Sequence, residues 1–271
     1  PERHWHTQIR LNPFVYSAIL FEMCKESGVH LLTNCMISAA EESETQVSLL
    51  CTDKNGLLEI EAKTAIDATG DATLVSMAGY PVEKSPVQQP ATLQNSLSGY
   101  DIENVRLEEI EEKFPASGLE SPVTPQKLYG WLKIGRLDLH TESIDADTSH
   151  GRTELEMKAF AQMLKILDFL RQISGLENLC IASCAAETGV RETNRIIGEK
   201  TVTAQDYISG AWYEDAVCYA FYPIDLHVMG GIEQTHFKEE VVAKVPYGAL
   251  IPKNSKRLLA AGRCLSSDAY A

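Results

Sequence analysis

Apolar positions in the first 80 residues follow two periods. Val15, Ala18, Ile19 and Met23 recur every three or four residues, the spacing that lines one face of a helix. Asn12 and Pro13 suit its start, an amide side chain to cap orphan N–H groups and a ring already at helical φ. Gly28 stands where a left-handed residue ends a helix. Beyond it the period shortens towards two, and Val29–Leu32, Cys35–Ala39 and Gln46–Thr52 read as strands. Asn55-Gly56 predicts a hairpin turn, because both central residues of such a turn need positive φ; Leu57–Ala62 is its second arm. Thr64–Thr69 is the next strand. The pattern predicts a helix, a strand, a β meander and a strand returning to the same sheet.

From Pro81 to about Gly151 prolines at 81, 86, 90, 115, 122 and 125 interrupt polar stretches, which predicts extended segments and loops, with a short acidic helix within Asp101–Lys113. Thr153-Glu154-Leu155-Glu156 fits a capping box, and Met157, Phe160, Ala161, Leu164, Leu167 and Leu170 follow as an apolar stripe expected in the core, closed by Gly175. Asn178–Ala185 reads as a strand and Thr203–Asp206 as a second helix start. Leu258–Gly262 is a last apolar β run. It ends in glycine, as does Ala65–Gly70, and two such runs side by side in one sheet can face one ligand. No internal repeat or low-complexity tract occurs.

Composition narrows the partners. The 271 residues carry 24 Lys+Arg against 38 Asp+Glu, a formal charge of −14, which argues against nucleic acid or an anionic membrane, since either needs a basic face. A small-molecule substrate is the expected partner, and the oligomeric state is left open. The seven cysteines show no C-x-x-C spacing, and Cys180 and Cys184 read as buried thiols, so a reduced, cytoplasmic setting is expected. No run is apolar enough to span a bilayer. The chain opens at Pro1 and stops at Ala271 just after an apolar run, and so reads as an excerpt of a longer polypeptide.

Several segments carry candidate chemistry. Thr64–Ala72 is a short β run ending in Thr69-Gly70-Asp71. A glycine there lets backbone and ligand approach closely, and the carboxylate can accept hydrogen bonds from ribose hydroxyls; the same residues also serve a plain turn. His227 is the best acid/base candidate, because its side chain titrates nearest neutral pH and Asp225, two residues away, shares its face of a β run; the alternative is an ordinary hydrogen-bonded histidine. Tyr222 and Tyr247 suit either core packing or stacking on a ring. Gly130–Gly135 has the glycine spacing of a phosphate loop but continues Arg136-Leu137 where Lys and Ser/Thr are required, and is discarded. His4-x-His6 and the acids between 101 and 112 show no metal-ligand pattern, and no Gly-x-Ser-x-Gly elbow points to a hydrolase.

Four segments together resemble one family. Ile66-Asp67-Ala68-Thr69-Gly70-Asp71 followed by Ala78-Gly79, Gly189-Val190-Arg191-Glu192-Thr193-Asn194-Arg195-Ile196-Ile197-Gly198-Glu199, Tyr222-Pro223-Ile224-Asp225-Leu226-His227, and Val245–Pro252 with Leu258–Cys264 are similar, in order and spacing, to motifs of the FAD-dependent oxidoreductases of the two-dinucleotide-binding-domain type. The resemblance covers nearly the whole chain. It departs at the ends: the 17 glycines include no Gly-x-Gly pair for a dinucleotide fingerprint, and the helix that should follow Cys264 is missing. The resemblance implies an α/β fold, a partial FAD-binding, Rossmann-like sheet from 1–80 and 258–271 with an inserted mixed α+β substrate or cap domain over 81–257. It implies hydride transfer between an organic substrate and FAD, with FAD held weakly or not at all by this excerpt and properly by its parent. Thr69, Gly70, Asp71, Gly262, Arg263 and Cys264 then become the cofactor-binding set, and His227, Arg191 and Asp225 the catalytic set. Arg191 falls on the flavin side as a binder of carboxylate or oxyanion, while Glu192 and Arg195 fall to structural ion pairing. Two other classes remain: a non-catalytic module reusing the fold, and a flavin subunit handing electrons to an iron–sulfur partner.

Overall fold

The computed structural model describes residues 11–142, 145–229, 231–238 and 241–270. His4-x-His6 lies outside the described residues. The chain divides into two compact units. The first runs through Glu83 and takes in Arg195–Ile224 and the residues from Thr235 on; the second is Lys84–Asn194 with Asp225–Gln234. Residues 195–224 and 235–257, placed with the cap by the family resemblance, therefore group with the first unit.

The first unit opens with helix α1, Pro13–Glu26, capped as expected: Asn12 Oδ1 accepts from the amides of Phe14 and Val15 at 3.0 and 3.2 Å, and Gly28 sits at φ +68°. Strands β1 (Met36–Glu42), β2 (Val47–Asp53) and β3 (Gly56–Ala62) form one antiparallel sheet in that order, turned at Asn55-Gly56. Val29–Leu32, expected as a strand, is irregular. Strand β4, Ala65–Asp67, leaves the meander rather than returning to it. It pairs in parallel with the final strand, Leu258–Ala260, the partners being Leu258–Ala65, Leu259–Ile66 and Ala260–Asp67. Hydrophobic period fixes a strand's faces and is silent about its neighbour, and a parallel pair needs a long crossover. Here nearly the whole remaining chain is that crossover. Helix α2, Thr73–Met77, follows β4 and buries Leu74 and Val75.

In the second unit, after the short strand β5 (Val82–Lys84), three strands form an antiparallel sheet: β6 (Ala91–Ser98) lies between β7 (Arg136–Thr141) and β8 (Cys180–Cys184). Helices α3 (Leu107–Lys113), α4 (Pro125–Ile134) and α5 (Ser149–Leu170) supply Ile110, Leu128, Leu132, Ile166 and Phe169, which pack with Leu93, Leu137 and Leu139 of the sheet in one core. The segment 81–151 thus holds far more regular structure than its prolines suggested. Pro90 directly precedes β6 and Pro125 opens α4, positions where proline disturbs no hydrogen bond.

Helix α5 starts a turn earlier than the expected capping box. Thr148 is its cap, Oγ1 accepting from Gly151 N at 3.0 Å, and Thr153 lies inside the helix with its hydroxyl donating to Ser149 O at 2.8 Å. The buried face is Leu155, Ala159, Ile166, Phe169 and Leu170, while Met157 and Leu164 of the expected stripe are exposed. Apolar residues occur around most of this helix, so the sheet rather than the periodicity selects the buried side.

The remaining strands are β9 (Asn194–Ile196), β10 (Ala216–Ala220) paired with β13 (Ala243–Pro246), β11 (Ile224–Val228) paired with β12 (Gly231–Thr235), and β14, the Leu258–Ala260 strand; helix α6 spans Ala204–Ser209. The expected helix start at Thr203–Asp206 is present, closed by a reciprocal capping box between Thr203 and Asp206.

Candidate functional site

The parallel pair β4–β14 of the first unit ends in two glycines with left-handed backbone, Gly70 at φ +80° and Gly262 at φ +87°. The expected convergence of the two runs is therefore present. Arg263 joins the two strand ends: Nε donates to Gly70 O at 3.0 Å and Nη2 to Asp71 Oδ1 at 2.8 Å. A Cβ on Gly70 would stand 2.7 Å from Arg263 Cζ, so the guanidinium lies flat in the space that glycine leaves. Around Gly262 nothing comes within 4 Å of the position a Cβ would take, which leaves that strand end open.

The organiser of this edge is Asp67, the last residue of β4, almost fully buried. Its Oδ1 accepts from Thr69 N at 3.0 Å and Thr69 Oγ1 at 2.7 Å, and its Oδ2 accepts from Val75 N at 3.0 Å. Thr69 Oγ1 in turn accepts from Asp71 N at 3.3 Å and Thr73 N at 3.1 Å. Two side chains thereby satisfy the first amides of α2, whose own cap position, Ala72, offers no side-chain acceptor. The sequence pattern passed over Asp67, though a lone acid inside an apolar run was the available signal. Cys264, expected at the cofactor, points inwards: it is fully buried with Ala72, Val75, Ile196 and Ala260, and burial pushes its thiol pKa up.

A second polar cluster lies within the second unit, and strand alternation builds it. On β6 and β7, Leu93, Leu137 and Leu139 turn to the core, so Thr92, Gln94, Asp138 and His140 share the opposite face, with Thr92 opposite His140 and Gln94 opposite Asp138. Arg191 lies over this face: Nη1 donates to Pro90 O at 2.5 Å and Thr92 Oγ1 at 2.8 Å. The His227 ring meets His140 edge to face, centroids 5.4 Å apart. Asp225 stands as the i, i+2 rule required, its Oδ2 3.3 Å from His227 Nε2, while Oδ1 accepts from Gln234 Nε2 at 3.1 Å. Burial first, then the Arg191 charge, lower the pKa of both histidines, with Asp225 opposing at His227 and Asp138 at His140. Both imidazoles are therefore neutral at pH 7. His227 Nδ1 is buried and lacks a hydrogen-bond partner among the described residues.

The three residues expected as catalytic are thus neighbours. His140 was missed, although the alternation of Leu137 and Leu139 marked it as outward-facing. Glu192 accepts from Gln89 N at 2.7 Å and Ser85 Oγ at 3.3 Å. Arg195 is buried, whereas Tyr222 and Tyr247 are exposed. Among the described residues no group of His, Cys, Asp or Glu is placed to hold a metal, and no helix is long and apolar enough to cross a membrane.

The full chain, residues 1–271, matches the family model for FAD dependent oxidoreductases, and the protein belongs to that family. No curated protein matches the sequence. Among solved structures it is similar to p-nitrophenol 4-monooxygenase PnpA from Pseudomonas putida DLL-E4, at 12% identity and a TM-score of 0.37, over 69% of this chain and 44% of that one. The chain spans less than half the length of that structure.

Proposed function

We propose that this chain supplies one edge of an FAD site and a substrate-handling domain of a flavin-dependent oxidoreductase. The carrying observation is the parallel β4–β14 pair whose two ends, Thr69-Gly70-Asp71 and Gly262-Arg263, are drawn together by one guanidinium. The donor set suits a dinucleotide. Arg263 uses Nε and Nη2 within the protein, and Nη1 meets no acceptor among the described residues, so it is available to a phosphate oxygen. The open position at Gly262 admits a close backbone approach. Ligands of open α/β sheets lie at the carboxyl ends of parallel strands, the location of these residues, and a Rossmann-like sheet is the arrangement we infer for the first unit.

FAD, when bound, supplies the chemistry of accepting or returning a hydride. The protein's part is proton handling and orientation. His227, neutral at pH 7, is the proton acceptor; with its Nε2 hydrogen shared with Asp225, the basic lone pair is on Nδ1. The partner we infer is a small organic substrate.

Titration of the full chain with FAD, read by quenching of flavin fluorescence, tests the reading. Removing Arg263 deletes one charged hydrogen-bond donor to phosphate, worth about 1.5–3 kcal/mol, so R263A is expected to weaken FAD about 10- to 100-fold. Equal affinity of R263A and the parent, or no quenching by the parent, refutes it.

A further inference from the structure

We propose that Arg191, flanked by His140 and His227, is the carboxylate-binding end of the substrate site in the second unit. The word substrate rests on the oxidoreductase reading above; the binding itself does not.

The argument begins with charge. Arg191 is held by a backbone carbonyl and a hydroxyl, both neutral acceptors that fix the plane of the guanidinium without compensating its charge. Two carboxylates lower the cost of that half-buried cation from nearby, Asp225 and Asp138. Both are committed elsewhere. Asp225 uses one oxygen on Gln234 and the other on His227. Asp138 accepts from Gln94 Nε2 at 3.0 Å through Oδ1, and its Oδ2 takes Arg136 Nε and Nη2 at 2.9 and 2.6 Å. The charged groups that face the histidines are Arg191, Lys127, Asp138 and Asp225. Arg136 is paired with Asp138, so neither carboxylate closes a direct hydrogen bond on the Arg191 guanidinium.

Geometry names the anion. With Nη1 anchored, the Nε and Nη2 edge of Arg191 has no protein acceptor among the described residues, and that edge is the planar fork that takes both oxygens of a carboxylate. His227 Nδ1 is a second polar atom with no partner. An anion seated on Arg191 would offset its charge, the second cause after burial that lowers both histidines. Filling the site should then raise the proton affinity of the pair, with Asp225 steadying the imidazolium that forms when His227 takes a proton.

The test uses the full chain with histidine-labelled NMR, acetate as the probe and chloride at equal ionic strength as the control; H140Q and H227Q assign the signals. In chloride the His140 and His227 titrations should fall below the ordinary histidine range, and acetate should move them up. R191Q should weaken acetate at least tenfold and abolish the shift. R191K, which keeps the charge and the packed stem but loses the fork, should bind with intermediate affinity and guards against misfolding of R191Q. Identical titrations in acetate and chloride, unchanged acetate affinity in both Arg191 variants, or a larger effect from inorganic phosphate would overturn the proposal. Flavin fluorescence in the same samples separates the two readings: acetate binding without FAD binding leaves the site standing and removes only its role in flavin chemistry.

Discussion

Asp67→Asn tests whether the edge at β4 is organised as described. The carboxylate is 1% exposed and receives three hydrogen bonds, from Thr69 N, Thr69 Oγ1 and Val75 N. An asparagine of the same shape has one oxygen and one NH2. Placed where Oδ1 was, the NH2 confronts the Thr69 amide; placed where Oδ2 was, it confronts the Val75 amide. The threonine hydroxyl can turn to accept, but neither backbone N–H can. One buried donor is thus left unsatisfied, at about 1–3 kcal/mol, and the surviving bonds lose their charge assistance, so the total is about 2–4 kcal/mol. For a chain of this size that corresponds to a fall in Tm of roughly 4–10 °C. Urea unfolding followed by circular dichroism measures it. T69V and the double variant complete a mutant cycle, in which removal of the shared hydroxyl contact should show a coupling of about 1 kcal/mol. A D67N protein within about 0.5 kcal/mol of the parent would show that the acid is not holding the turn, and the description of that edge would fail.

Gly70→Ala forces a side chain into a left-handed residue, a strain of about 1–2 kcal/mol, and displaces the Arg263 guanidinium, whose Cζ stands 2.7 Å from the new Cβ. Gly79→Ala meets the same kind of backbone, φ +85°, with nothing within 4 Å; a loss of stability in both, larger in G70A, with loss of FAD affinity in G70A alone is the expected result, and equal FAD affinity refutes the Arg263 assignment. Glu109 accepts from Lys113 Nζ at 2.7 Å and from the Ser174 amide and hydroxyl, each at 3.0 Å; these contacts hold its pKa near 2, below the ordinary 4.5. A carboxylate with a depressed folded pKa stabilises above its unfolded value, so this contribution is complete above pH 4.5 and fades as pH falls towards about 2. E109Q should lower stability at pH 7 by about 1 kcal/mol and flatten the acid limb of a stability–pH curve; an unchanged acid limb counts against it.

Features set by neighbours within a few residues were legible in the chain. Asn12 and Pro13 start α1, Asn55-Gly56 turns the hairpin and Thr203 with Asp206 caps α6, because a side chain bonding an amide two or three residues away needs no partner from elsewhere. The pairing of Asp225 with His227 was legible for the same reason, since alternation alone puts i and i+2 on one face. Which stripe of α5 is buried, which strand β4 pairs with, and the meeting of His140 with Arg191 and His227 were decided by tertiary structure. Each depends on residues tens to nearly two hundred positions apart, and the energy that selects among such pairings is area removed from water, which is non-directional and carries no local signature. Local hydrogen bonding wrote the ends of the elements into the sequence; burial of one sheet face against three helices chose which polar residues would be left together on the other.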